Sequence, residues 1–154
     1  MHYSFDVRAD LEHVSVILKP NSVKRKNIEI VGVYRPLLND FFCSLESVMN
    51  NLGVNNDQIL AGDFNICGIA SSPNRDKYLD IMRSYDCMPH INRITRLNPR
   101  RNDSCLDHIW SNFGFTFKSG VFNEVIISDH FIDFVFLPIE YSTTKKKNKF
   151  QRSF

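Results

Sequence analysis

Several things are missing from this chain, and each absence closes off a class of protein. No hydrophobic run approaches the ~20 residues that span a bilayer. The opening residues, Met1-His2-Tyr3-Ser4-Phe5-Asp6, have neither the basic start nor the apolar core of a secretory leader. A nuclear or cytoplasmic location is therefore expected, not a secreted one. The cysteines, Cys43, Cys67, Cys87 and Cys105, lie 18 to 24 residues apart and never form a Cys-x-x-Cys pair. That spacing is poor for zinc, so buried free thiols are expected. Net charge is only +2, too little for overall charge to announce a nucleic-acid binder. Internal repeats are absent, and so is low complexity outside a Lys-rich end.

What remains is an ordinary globular composition, 43% hydrophobic and 23% charged over 154 residues, enough for one domain with a real core. The basic residues are unevenly spread. Lys145, Lys146, Lys147, Lys149 and Arg152 make a basic tail, and Arg93, Arg96, Arg100 and Arg101 cluster in an earlier loop. The expected division is a domain over 1–140 and a basic tail or start of a linker over 141–154.

Taken in order, the first third reads as strands at 5–8, 13–19 and 27–34, the last stopped by Pro36. Asn39 can cap a helix whose Phe41, Phe42, Leu45, Val48, Met49 and Leu52 recur at helical spacing up to Gly53. A buried strand is expected at 59–66. A second helix, capped by Asn74, presents Tyr78, Leu79, Ile81, Met82 and Tyr85 inward. The stretch 89–103 is polar, basic and irregular. A strand follows at 104–111, one or two more fall in 115–127 across Gly120, and a final strand runs over 131–137. Strands alternating with two helices and then several strands predict an α/β sandwich of mixed sheets with helices outside.

Polar residues interrupt the apolar strands at four places: Tyr34, Asp63 with Asn65, Asp107, and Asp129 with His130. In a strand, residues two apart face the same side, so Asp63 and Asn65 would look into one site. A strand-end Asx turn is the alternative reading of that pair. Gly62 lets a ligand or another backbone come close. Strand ends and the loops leaving them are where sheet proteins carry sites. The inventory suits hydrolysis of a phosphate ester, which needs carboxylates for a hard cation, a group near the attacking water, and donors for charge on phosphorus. His130 can bond the phosphate or move a proton, and Asp107 can orient its ring. His108 follows Asp107 and so points away from the site, with Trp110 packed on its side. Asn92 and Thr95 could contact DNA, though a polar loop carries such residues in any case.

Val33-Tyr34-Arg35-Pro36, Gly62-Asp63-Phe64-Asn65, Ser104-Cys105-Leu106-Asp107-His108-Ile109 and Ser128-Asp129-His130, in that order, resemble the motifs of the endonuclease/exonuclease/phosphatase superfamily. The Tyr-Arg-Pro and Ser-x-Leu-Asp-His-Ile forms are similar in particular to the apurinic/apyrimidinic-like endonuclease domains of non-LTR retrotransposons. The resemblance covers roughly residues 5–138 and implies a four-layer α/β sandwich cleaving DNA phosphodiesters with Mg²⁺ or Mn²⁺. By that resemblance Tyr34 would contact phosphate, and Asp63 and Asn65 would position water and stabilise the transition state. Asp107 would support His130, Asp129 would help hold the metal, and Arg93, Arg96, Arg100 and Arg101 would touch the DNA backbone. A longer parent would carry a reverse transcriptase domain downstream. The family's first strands, one bearing an Asn and one a metal-binding Glu, have no counterpart here. The resemblance therefore implies an N-terminally truncated domain with weakened metal binding. A catalytically inactive remnant that binds nucleic acid is the alternative, and a phosphatase of the same superfamily a further one.

Overall fold

The computed structural model describes residues 2–8, 11–19, 26–36, 41–100, 102–113, 118–124 and 128–137. The expected cap Asn39, Arg101 and the basic tail lie outside them. Ten elements follow one another: β1 (His2–Arg8), β2 (Leu11–Leu18), β3 (Ile28–Tyr34), α1 (Phe41–Asn51), β4 (Asp57–Asp63), α2 (Pro73–Ser84), β5 (Met88–Pro89), β6 (Asp107–Ser111), β7 (Lys118–Phe122) and β8 (Ile132–Phe136). A six-stranded sheet takes the order β1-β2-β3-β4-β6-β5, and β7 pairs with β8 in a second sheet. Among these strands only β3 and β4 run parallel. Parallel neighbours need a crossover, and α1 supplies it.

The period-two alternation of the central strands divides the core. Val31, Val33, Leu60 and Trp110 face the helices and pack with Phe41, Leu45, Met49, Tyr78 and Met82. Ile59 and Ile109 face the other way, where Val121 of β7 and Val135 of β8 cover them. The described residues thus form three layers, helices, large sheet and small sheet, of an α/β fold.

Several boundaries differ from those expected, each for a local reason. Ser72, not Asn74, caps α2: its Oγ accepts the Arg75 amide at 3.2 Å, and Pro73 occupies the first helical position. Pro lacks an amide that the first turn would leave unpaired anyway, so Asn74 already lies inside the helix. β4 ends at Asp63, short of 66, because Asn65 turns into the left-handed region at φ 48°. β6 begins at Asp107, not 104, because the amides of Leu106 and Asp107 are taken by the Thr95 hydroxyl. Gly62 holds φ 151°, and a Cβ there would come within 1.8 Å of the Val33 carbonyl oxygen. The close approach it permits is that of the neighbouring strand. No helix among the described residues is long and apolar enough to cross a membrane.

Candidate active site

The site begins as a row across three strand ends. Tyr34 pairs with Asp63 across β3 and β4, and Asp63 pairs with Asp107 across β4 and β6. Partners in a ladder share a face, and this one also carries Ile59 and Ile109, turned toward the small sheet. Tyr34 is 49% exposed, so its ring stands open to solvent.

Asn65 reaches the site by a turn instead of by strand alternation. Its amide donates to Asp63 Oδ1 at 2.9 Å, closing an Asx turn. Its own Nδ2 donates to the Arg35 carbonyl at 2.7 Å. Arg35 answers from the end of β3: Nη1 donates to the carbonyls of Phe64 at 3.4 Å and Asn65 at 3.2 Å, while the guanidinium lies 4.5 Å over the Phe41 ring. Arg35 belongs to the Tyr-Arg-Pro motif but had no role of its own in the sequence. In the structure it is the brace of the Asp63–Asn65 turn.

His130 and Asp107 meet at 2.9 Å, Nδ1 to Oδ2. An ionised carboxylate only accepts, so Nδ1 carries the proton and Nε2 is left to act elsewhere. Asp63, Asp107 and His130 each offer a ligand atom, all within 4.8 Å of one another. Burial is the main force raising the Asp63 pKa, with the Asp107 charge adding to it. The Asn65 amide and the charges of His130 and Arg96 oppose the shift.

Asp129 stands apart from this cluster. Its Oδ2 accepts from Arg96 Nε at 2.7 Å, and that bond lowers its pKa. Arg96 is therefore engaged within the protein, whereas Arg93 and Arg100 are exposed. Thr95 is wholly buried, so it does not face DNA. Asp133, overlooked in the sequence, lies on β8 opposite Val121 with Oδ2 buried and lacking a hydrogen-bond partner among the described residues. Burial and then the Asp107 charge raise its pKa. One polar residue inside the apolar run Phe131-Ile132-Asp133-Phe134-Val135 was the available signal.

His108 faces the helices, as alternation required. Its Nε2 lies 3.0 Å from the Cys105 carbonyl and Nδ1 2.9 Å from the Tyr78 hydroxyl. A carbonyl only accepts, so Nε2 donates and Nδ1 accepts a hydrogen bond from the tyrosine hydroxyl. Burial lowers the His108 pKa, and it pushes the Cys105 thiol up to about 12, leaving a structural histidine and an inert thiol.

The mixed sheet backed by two helices is a fold shared with structures of the endonuclease/exonuclease/phosphatase superfamily. The chain is similar to an endonuclease/exonuclease/phosphatase family protein from Leptotrichia buccalis, with 27% identity and TM-score 0.64 over 84% of this chain and 53% of that one. It shares a fold with the endonuclease domain of TRAS1, a telomere-specific non-LTR retrotransposon, at 15% identity and TM-score 0.55, covering 79% and 58% of the two chains. A beta toxin from Staphylococcus aureus aligns at 12% identity and TM-score 0.52, covering 80% and 56%. The chain thus spans little more than half the length of these structures. No family model matches it, and no curated protein does.

Proposed function

We propose that this chain is a metal-dependent phosphodiester hydrolase domain of the DNA-endonuclease type, related to the enzymes that nick retrotransposon targets. The observation that carries the reading is the convergence of Asp63, Asp107 and His130 within 4.8 Å at the strand ends of this fold. The Asp63 and Asp107 carboxylates would hold a hard divalent cation, with water and phosphate oxygens completing its shell, and an oxygen donor set favours Mg²⁺ or Mn²⁺. When bound, such an ion supplies charge stabilisation on phosphorus and a more acidic water.

The chain's own residues do the remainder. Asp63 accepts from the attacking water. His130, fixed through Nδ1 by Asp107, offers Nε2 to a phosphoryl oxygen or to a proton in transit. Tyr34 reaches phosphate from the exposed end of β3, and Asn65 keeps the Asp63 carboxylate aimed through the Asx turn. Arg93 and Arg100 meet the DNA backbone.

A second reading, nucleic-acid binding without turnover, draws on one observation: Arg93 and Arg100 are exposed in the basic loop beside the site. A supercoiled-plasmid assay with Mg²⁺ or Mn²⁺, run beside duplex binding, separates the two. Nicking that disappears in His130→Ala supports the enzyme. Binding without nicking supports the second reading, and hydrolysis confined to a small phosphomonoester would move the assignment to a phosphatase. Absence of all three overturns the proposal.

A further inference from the structure

His130 and Asp107 are 23 residues apart in sequence, and nothing in either local segment obliges them to meet. The segment around Thr95 lies between them. Thr95 Oγ1 accepts the amides of Leu106 and Asp107, each at 3.0 Å, at the point where β6 begins. The Thr95 carbonyl accepts the Phe131 amide at 2.7 Å, directly after His130. Its amide donates to the Ser104 carbonyl at 2.9 Å, and the next residue, Arg96, bridges both Ser104 and His130. One residue therefore bonds to the backbone on both sides of the His130–Asp107 contact.

We infer that Thr95 is the positioning residue of this site, setting the Asp107–His130 contact without touching substrate. Its burial is complete, with 0% exposure, so no ligand reaches its hydroxyl. A hydroxyl oxygen has two acceptor sites, and here both are used on consecutive amides. Consecutive amides in a strand point to opposite edges. Gathering two onto one oxygen makes the chain bend before Asp107, so the carboxylate enters its strand at a fixed place. The Phe131 bond fixes the other partner from the same residue. Serine retains this chemistry, and valine retains the shape without the acceptor.

The inference rests on reading Asp107 and His130 as the working pair, but its test needs neither metal nor DNA. The full chain is compared with T95V and T95S by amide hydrogen exchange and by the low-field NMR signal of the His130 Nδ1 proton. In T95V the Leu106 and Asp107 amides should exchange at least ~10-fold faster, and the His130 signal should weaken or vanish, while α1 amides such as Val48 and Met49 hold their rates. T95S should restore both. Where nicking is measurable, kcat in T95V should fall by ~100-fold with KM little changed, the scale of a misplacement near 1 Å. Unchanged exchange at Leu106 and Asp107 overturns the inference. So does uniform acceleration across the chain, or failure of T95S to restore the wild-type pattern. If T95V does not fold, T95C, with a weakly accepting sulfur, takes its place under the same criteria.

Discussion

Asp63 and Asp107 are direct cross-strand partners, two carboxylates facing each other where β4 ends and β6 begins. Like charges in that relation oppose sheet pairing, and burial adds to the tension by raising the Asp63 pKa. The proposed cation site accounts for the placement, since such a site needs negative charge concentrated at one point.

Asp63→Asn relieves the repulsion while its side-chain oxygen still accepts the Asn65 amide. Stability should therefore hold or rise by ~0.5 kcal/mol, a gain of about 1–2 °C in Tm for a chain of this size. Any metal-dependent nicking should disappear. Calorimetry with the plasmid assay checks both, and a clear fall in Tm would contradict repulsion between the two carboxylates.

The pH dependence follows with a definite sign. Asp63 holds its proton more tightly folded than unfolded, since its pKa lies above the ordinary value of 3.8. Its contribution to stability is thus complete below the ordinary carboxylate range and fades as pH rises through the raised value. The Tm gap between Asp63→Asn and wild type should be near zero at low pH, open across that window, and then stay constant. A gap that closes with rising pH would reverse the assignment. Asp133, also raised, should behave in the same direction.

Arginines in the 93–100 loop should not be equivalent toward DNA. Arg96 is bonded to Asp129, while Arg93 and Arg100 are exposed. Replacing Arg93 and Arg100 by Ala should reduce the slope of log affinity against log salt by ~1 for each phosphate no longer neutralised. Arg96→Ala should change it less. Anisotropy titrations on a duplex between ~50 and ~200 mM salt, the range over which such binding weakens most visibly, decide the matter.

Gly62→Ala puts a methyl carbon 1.8 Å from the Val33 carbonyl oxygen at a φ that L side chains rarely adopt. The strand must shift away from β3, so a cost of about 3 kcal/mol or more is expected. Denaturant unfolding checks this. An unchanged midpoint would mean that β4 can move without penalty.

Much of this molecule was legible in its residues. Helical spacing marked α1 and α2, short apolar runs marked β3 and β4, and alternation marked β6, because burial leaves its trace in nearby residues. The same period placed Asp107 and His108 on opposite faces, and His108 indeed bonds to Tyr78 on the helix side. Alternation failed where the strand stopped. Asn65 sits in a left-handed Asx turn, the alternative that the Asp-x-Asn spacing also offered and that a two-residue period does not describe.

The sequence alone determined which segments would be strands and helices and which face of each would be apolar, since those depend on neighbours a few positions away. It also held, in four short motifs, the chemistry at the strand ends. Tertiary structure decided who meets whom. That Asp129 bonds to Arg96 at a separation of 33 residues, that Arg35 braces the Asp63 turn, and that Thr95 lies buried between Asp107 and His130 all depend on the path of the intervening loops. Loop paths follow from hydrogen-bond satisfaction in the assembled fold, and no local period records them.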